Sequence, residues 1–168
     1  MKLSRNIAIA GLIIFNIAID QISKVIVRGS VQPHSQSPII GKYFKLTNVE
    51  NTGAFLSLGS DFHPTLRLLL LLILPIVVLG YVTYYIFKNK QLDKWSLIGF
   101  SCIIGGGIAN VFDRIVFGSV TDFLHIDLGG IFRTGIFNIA DVSVMTGMGF
   151  LLLSHFKSKP DCKTEETT

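Results

Sequence analysis

Charge is scarce in this sequence: Asp, Glu, Lys and Arg make up 15% of its 168 residues. A water-soluble domain carries about a quarter, so the composition argues against an ordinary solvated surface. Hydrophobic residues reach 49% and mean hydropathy is +0.56. They fall in runs rather than at core periodicity, which points to a membrane protein. Cysteine is nearly absent. Cys102 lies in an apolar run, Cys162 in the polar end, and no C-x-x-C pair exists; this leaves neither a disulfide framework nor a thiolate metal site. The four histidines, His34, His63, His125 and His155, form no His-Glu-x-x-His pattern, so a zinc peptidase lacks its ligands. His125 near Asp127 could bind a metal, but an exposed loop histidine is the better reading. Gly105-Gly106-Gly107 lacks the Lys-Ser/Thr that ends a phosphate loop and sits inside an apolar run, which favours close helix packing. No Ser or Cys has a convincing His base. The net charge of +4 is spread in small groups beside the apolar runs. That is how span-flanking charges are arranged, so no nucleic-acid partner is expected.

Four windows are long enough to cross a hydrocarbon core of about 30 Å, which takes roughly 20 helical residues. They cover residues 7–27, 66–87, 95–117 and 136–156. Pro75 is expected to kink the second, a break that protein neighbours tolerate in a membrane. The first is a retained span rather than a signal peptide, because Asp20-Gln21-Ile22-Ser23-Lys24 follows where a small-residue cleavage site would stand. The fold class expected is an all-α membrane protein of four transmembrane helices with a small extracytoplasmic, β-containing loop region. Lys2 and Arg5, Lys88, Lys90 and Lys94, and Lys157, Lys159 and Lys163 all fall on one side of such a bundle. The positive-inside rule makes that side cytoplasmic, although Arg28, Lys42, Lys45 and Arg133 fall opposite. Both termini are then cytoplasmic. Residues 1–156 form a single integral-membrane domain, and 157–168 a polar tail. The outer side receives loops over about 28–65 and 118–135; within the first, residues 43–49 suit either a strand that holds an extended peptide at the membrane surface or an ordinary ordered loop.

A carboxylate in hydrocarbon costs several kcal/mol on most scales, so each one needs a reason. Asp20 lies about 20 Å along its helix from Ile7 at 1.5 Å per residue, towards the outer end of span one. Asn110, Asp113 and Arg114 lie at the outer end of span three, Asp122 follows, and Asn138 with Asp141 opens span four. All converge on one depth. Asp20 precedes Lys24 by four residues, the favourable order for a helical ion pair. Asp20–Lys24 and Asp113–Arg114 therefore read mainly as structural pairs, whose basic partners keep the carboxylates ionised. Asp122 and Asp141 have no basic residue at helical spacing. Brought together, two carboxylates can share one proton and act as general base and general acid on a peptide. Spacing alone leaves a structural role or a proton relay open for these two.

At these residues the sequence resembles the lipoprotein signal peptidases, the type II signal peptidases of bacteria. The likeness runs through Asp20-Gln21-Ile22-Ser23-Lys24, Asn51-Thr52-Gly53-Ala54, and residues 105–114 with Asn110, Asp113 and Arg114. It continues through Val120-Thr121-Asp122-Phe123 and Phe137-Asn138-Ile139-Ala140-Asp141. The resemblance implies that Asp122 and Asp141 are the catalytic aspartates. Asp20, Asn51, Asn110, Arg114, Asn138 and Ala140 would line the substrate site, with Lys24, Gly53 and Asp113 supporting it. It implies an aspartic endopeptidase in the bacterial cytoplasmic (inner) membrane, with its active site near the outer face and no metal or cofactor. Its substrates would be diacylglyceryl-modified prolipoproteins, cut just before the lipidated cysteine. Membrane lipids are the other partners, and a monomer is expected. Phe55 and Ala109 depart from the family, which commonly has Ala and Gly there; Phe55 bears on how the outer loop covers substrate.

Overall fold

The computed structural model describes residues 4–53, 62–129 and 132–157. Phe55, Cys162 and residues 158–168 of the expected tail lie outside the described residues. Among the described residues four helices are long and apolar enough to cross a membrane: α1 (Arg5–Ser30), α2 (Pro64–Lys88), α3 (Lys94–Phe117) and α4 (Ile139–Lys157). Each expected span falls on one of them, except that Ile136 and Phe137, the expected start of the fourth, belong to a strand and the helix begins at Ile139. Local chemistry sets several boundaries. Ser4 caps α1 by accepting from the Ile7 amide, and Asp93 caps α3 by accepting from Trp95 and Ser96. Gly118, at φ 76°, ends α3 in the left-handed conformation that glycine adopts without strain. In α2, Pro75 follows a π-helical turn over Leu69–Ile73, which absorbs the backbone bond that a proline without an N–H cannot make.

α3 is the central helix and packs against the other three. Its glycine run explains how. A Cβ on Gly105 would lie 2.6 Å from Asn16 Cβ on α1. One on Gly107 would lie 2.7 Å from Leu79 on α2, and one on Gly106 would collide with the Ala140 carbonyl of α4. Three consecutive small residues thus admit three different helices, the close packing that membrane interiors reward. Further along the α3–α4 seam, Gly99 and Gly147 face each other, and Cβ atoms there would come within 2.8 Å and 2.5 Å of the opposite carbonyls.

The described parts of the connections 28–65 and 118–135 are more than loops. They contribute β1 (Gln36–Ile40), β2 (Phe44–Asn51), β3 (Val120–Asp127) and β4 (Arg133–Phe137) to one antiparallel sheet in the order β1-β2-β3-β4. The expected strand at 43–49 is β2. The β2–β3 pairing joins the two connections, setting Asn51 opposite Val120, Glu50 opposite Thr121 and Val49 opposite Asp122. Because strand side chains alternate, Asn51 and Asp122 share one face, and Glu50 and Thr121 share the other. Both connections leave the same end of the bundle. At the opposite end the short link after α2 is held by Arg5, whose guanidinium donates to Ile86 O and Asn89 O, each at 2.7 Å.

Candidate active site

The N-terminus of α4 organises the site. Asn138 precedes the helix, and its Oδ1 accepts from the Asp141 amide at 3.0 Å. In return Asp141 Oδ2 accepts from the Asn138 amide at 3.1 Å. This is a reciprocal capping arrangement, and it explains the three-residue spacing read from the sequence. It also fixes the Asp141 carboxylate at the helix mouth, where orphan N–H groups favour negative charge. A third amide of that turn, Ala140 N–H, donates to Asp20 Oδ1 on α1 at 2.8 Å, so α1 caps α4 across the bundle.

The second oxygen of Asp141, Oδ1, accepts from Asn110 Nδ2 of α3 at 3.0 Å. Asp122 is held from two elements: Asn138 Nδ2 donates to Oδ1 at 2.6 Å and Asn51 Nδ2 to Oδ2 at 2.8 Å. Each of the four carboxylate oxygens therefore accepts from one N–H. Asn138 touches both acids, and Asn110 accepts from Asn138 at 3.2 Å. Burial pushes Asp122 up to about 6; hydrogen bonds from Asn51 and Asn138 oppose this and the neighbouring Asp141 charge adds to it. Asn51, Asn110, Arg114, Asp122, Asn138 and Asp141 line one cavity of about 270 Å³, walled on the apolar side by Leu70, Leu71 and Pro75 of α2. Arg114 Nη2 donates to Gly53 O at 2.8 Å, and Gly53 N donates to Asn51 Oδ1 at 2.8 Å. The end of β2 is thereby tied to α3 beside the cavity.

Behind it lies a buried ion cluster. Lys24 is fully buried, with Nζ 2.7 Å from Asp20 and 2.8 Å from Asp113. The expected Asp20–Lys24 pair forms; the expected Asp113–Arg114 pair does not. Asp113 is held instead by Lys24 and, at 3.3 Å, by Arg28 of α1. Adjacent helical residues point in different directions, so Asp113 faces α1 while Arg114 reaches the cavity. Gln21, Arg28, Thr121 and Glu50, which had no assigned role in the sequence, also take part. Gln21 Nε2 donates to Asp113 at 3.0 Å and to Ala109 O at 3.2 Å. Arg28 Nε donates to Thr121 Oγ1 at 2.7 Å, and Thr121 donates to Glu50 at 2.8 Å. Arg28 four residues after Lys24 on one helix face was the available signal for it. His125 Nδ1 lies 3.5 Å from Gly135 O, and no group of three metal-ligating side chains occurs among the described residues.

The fold is shared with solved proteins. A bacterial membrane enzyme determined by the in meso method at 2.3 Å matches with a TM-score of 0.81 at 24% identity, covering 96% of this chain and 94% of that one. A second, at 1.9 Å, matches with a TM-score of 0.78 at 23% identity, covering 90% and 94%. Among curated relatives, the lipoprotein signal peptidase of Borrelia duttonii is 37% identical over 155 residues, 88% of this chain and 90% of the relative. That of Tolumonas auensis is 33% identical over 149 residues, 89% and 90% respectively. The family model for signal peptidase (SPase) II matches residues 12–157, a stretch that takes in most of α1, the other three helices whole and every residue lining the cavity. This multi-pass membrane protein belongs to the signal peptidase II family of peptidases.

Proposed function

We propose that the chain is an intramembrane aspartic endopeptidase that removes the signal peptide from diacylglyceryl-modified prolipoproteins, cutting just before the lipidated cysteine. The observation that carries this reading is the pairing of Asp122 and Asp141 in one cavity, joined through Asn138 and Asn110. Each oxygen keeps a lone pair beyond the N–H it accepts, for water or for a proton.

In this reading one carboxylate is ionised and the other protonated. The ionised one takes a proton from water as the water oxygen bonds to the scissile carbonyl carbon; the other gives its proton to the carbonyl oxygen. The C–N bond then breaks as a proton passes to the leaving nitrogen. Water reaches the pair because the cavity stands where the bundle meets the sheet, at the end that the positive-inside rule assigns to the outer face of the bacterial cytoplasmic membrane. The helical signal peptide unwinds there, since its own hydrogen bonds shield the scissile peptide. Arg114, Asn51 and Asn138 bind the exposed backbone, and Asp20 holds the Ala140 end of α4 in place. The leucines of α2 offer an apolar wall to the lipidated residue. One copy of the chain supplies every one of these groups, so the enzyme works as a monomer, with residues 1–156 as its single domain.

The test is to incubate the purified protein with a diacylated prolipoprotein and with its unlipidated form, and to weigh the products. The expected result is a free signal peptide and a fragment beginning at the lipidated cysteine, from the lipidated substrate. No cleavage, or a cut elsewhere, overturns the reading.

A further inference from the structure

A lysine that is fully buried in a membrane bundle is costly unless it is paired, and pairing alone seldom repays the loss of hydration. Lys24 has more than a pairing role open to it. Its ammonium group holds two carboxylates and also donates to Asn110 Oδ1 at 2.8 Å. An ammonium donates and never accepts, so the atom of Asn110 that faces it must be the oxygen. The Asn110 NH2 is thereby turned to the other side, where it meets Asp141 Oδ1 at 3.0 Å. The same oxygen accepts from Asn138 Nδ2 at 3.2 Å, and Asn138 Nδ2 also meets Asp122 at 2.6 Å.

We propose that Lys24 is a positioning residue for the peptidase reaction: it fixes the direction of the Asn110 amide so that an N–H is presented to Asp141 throughout the proton transfers. This rests on the reading of Asp122 and Asp141 as the catalytic pair. An ionised Asp141 would by itself hold the Asn110 NH2 towards it. A protonated Asp141 would not, because an acid O–H can donate to an amide oxygen and the amide could turn. Lys24 removes that freedom. Asp141 Oδ1 therefore meets a donor in both protonation states, and its proton is directed into the cavity, towards substrate, instead of back into the bundle. Asp20 and Asp113 hold the ammonium in place, and Arg28 shares Asp113 with it.

The experiment is a double-mutant cycle on kcat and KM, measured in the steady state with a diacylated prolipoprotein peptide. Lys24→Met is expected to lower kcat about 100-fold, the loss typical of an active-site group displaced by about an ångström, with KM within about twofold. Asn110→Ala is expected to cost a similar factor. Because the two act as one unit, the double variant should be no more than about threefold worse than the worse single one. Lys24→Arg, which still only donates, should recover most of kcat. Independent, multiplying losses, or a Lys24→Met effect confined to KM or to melting temperature, overturn the proposal. If Lys24→Met does not fold, Lys24→Met with Asp20→Asn leaves no carboxylate unpaired, and Asp20→Asn alone is its reference; the same kcat loss is then expected. Asp122→Asn run alongside separates the two ideas. Its retaining activity refutes the catalytic pair, whereas an inactive Asp122→Asn with a multiplying cycle refutes Lys24 alone.

Discussion

Gly106→Ala tests the link between helix packing and the site. A Cβ at Gly106 would run into the Ala140 carbonyl and come within 3.0 Å of Val144 Cγ2, both on α4. Neither the backbone carbonyl nor the branched side chain can swing aside, so α3 and α4 must part by about an ångström at that level. Overpacking of this kind costs about 1–3 kcal/mol. Its place matters more than its size. Gly106 stands about 6 Å along the helix from Asn110 at 1.5 Å per residue, and Ala140 is next to Asp141. The displacement therefore falls on the Asn110–Asp141 hydrogen bond and on the Ala140–Asp20 cap. A misplacement of about an ångström at reacting groups costs about 100-fold in rate. The expected result is a protein that inserts and unfolds only slightly early in micelles, yet cleaves about 100-fold more slowly. Gly80→Ala on α2 is the control: a Cβ there has nothing within 4 Å, so stability should hold or rise by about 0.5–1 kcal/mol, with activity unchanged. A Gly106→Ala enzyme cleaving within threefold of the parent would refute the reasoning.

Other consequences can be measured on the same preparations. Asp122 has a folded-state pKa of about 6 against an ordinary 3.8. Its contribution to stability is therefore full below about pH 4 and is lost as pH rises through about 6. At 1.36 kcal/mol per unit the span is about 3 kcal/mol; denaturant unfolding of the parent should lose that much relative to Asp122→Asn between pH 4 and 7, and parallel curves would contradict it. Arg28→Met removes the donor to Thr121 and one partner of Asp113. A charged hydrogen bond of this kind is worth about 1.5–3 kcal/mol, so the melting temperature should fall; an unchanged value would show that the sheet is held to α1 by other means. At the far end of the bundle, Ser154 donates to Asp93 at 2.6 Å. Ser154→Ala should cost about 1 kcal/mol of stability and leave kcat unaltered, and a loss of kcat would mean that the site extends through the bundle.

The helices were legible because a span is a local property: about 20 apolar residues suffice to announce it. Their ends shifted by a few residues where polar caps such as Ser4 and Asp93 extend a helix beyond its apolar run. The sheet was legible only at β2. In β3 the Asp122 and His125 side chains interrupt the apolar alternation that marks a strand, and its partner β2 lies some seventy residues away. Nothing local records that pairing. The same limit applies to the ion cluster. Asp20 and Lys24 are a turn apart and could be paired from sequence. Asp113 has its bonds across the bundle, and adjacency to Arg114 gave the wrong partner. Asn138 and Asp141 showed their three-residue spacing, but the backbone half of the reciprocal cap has no sequence signature.

The central claim is that Asp122 and Asp141 act together on the substrate. Single-turnover cleavage of a diacylated prolipoprotein by the parent, Asp122→Asn and Asp141→Asn proteins, each confirmed to be inserted and folded, tests it most directly. The account predicts release of signal peptide by the parent and none above background by either variant. Near-parental cleavage by either Asn variant would contradict it.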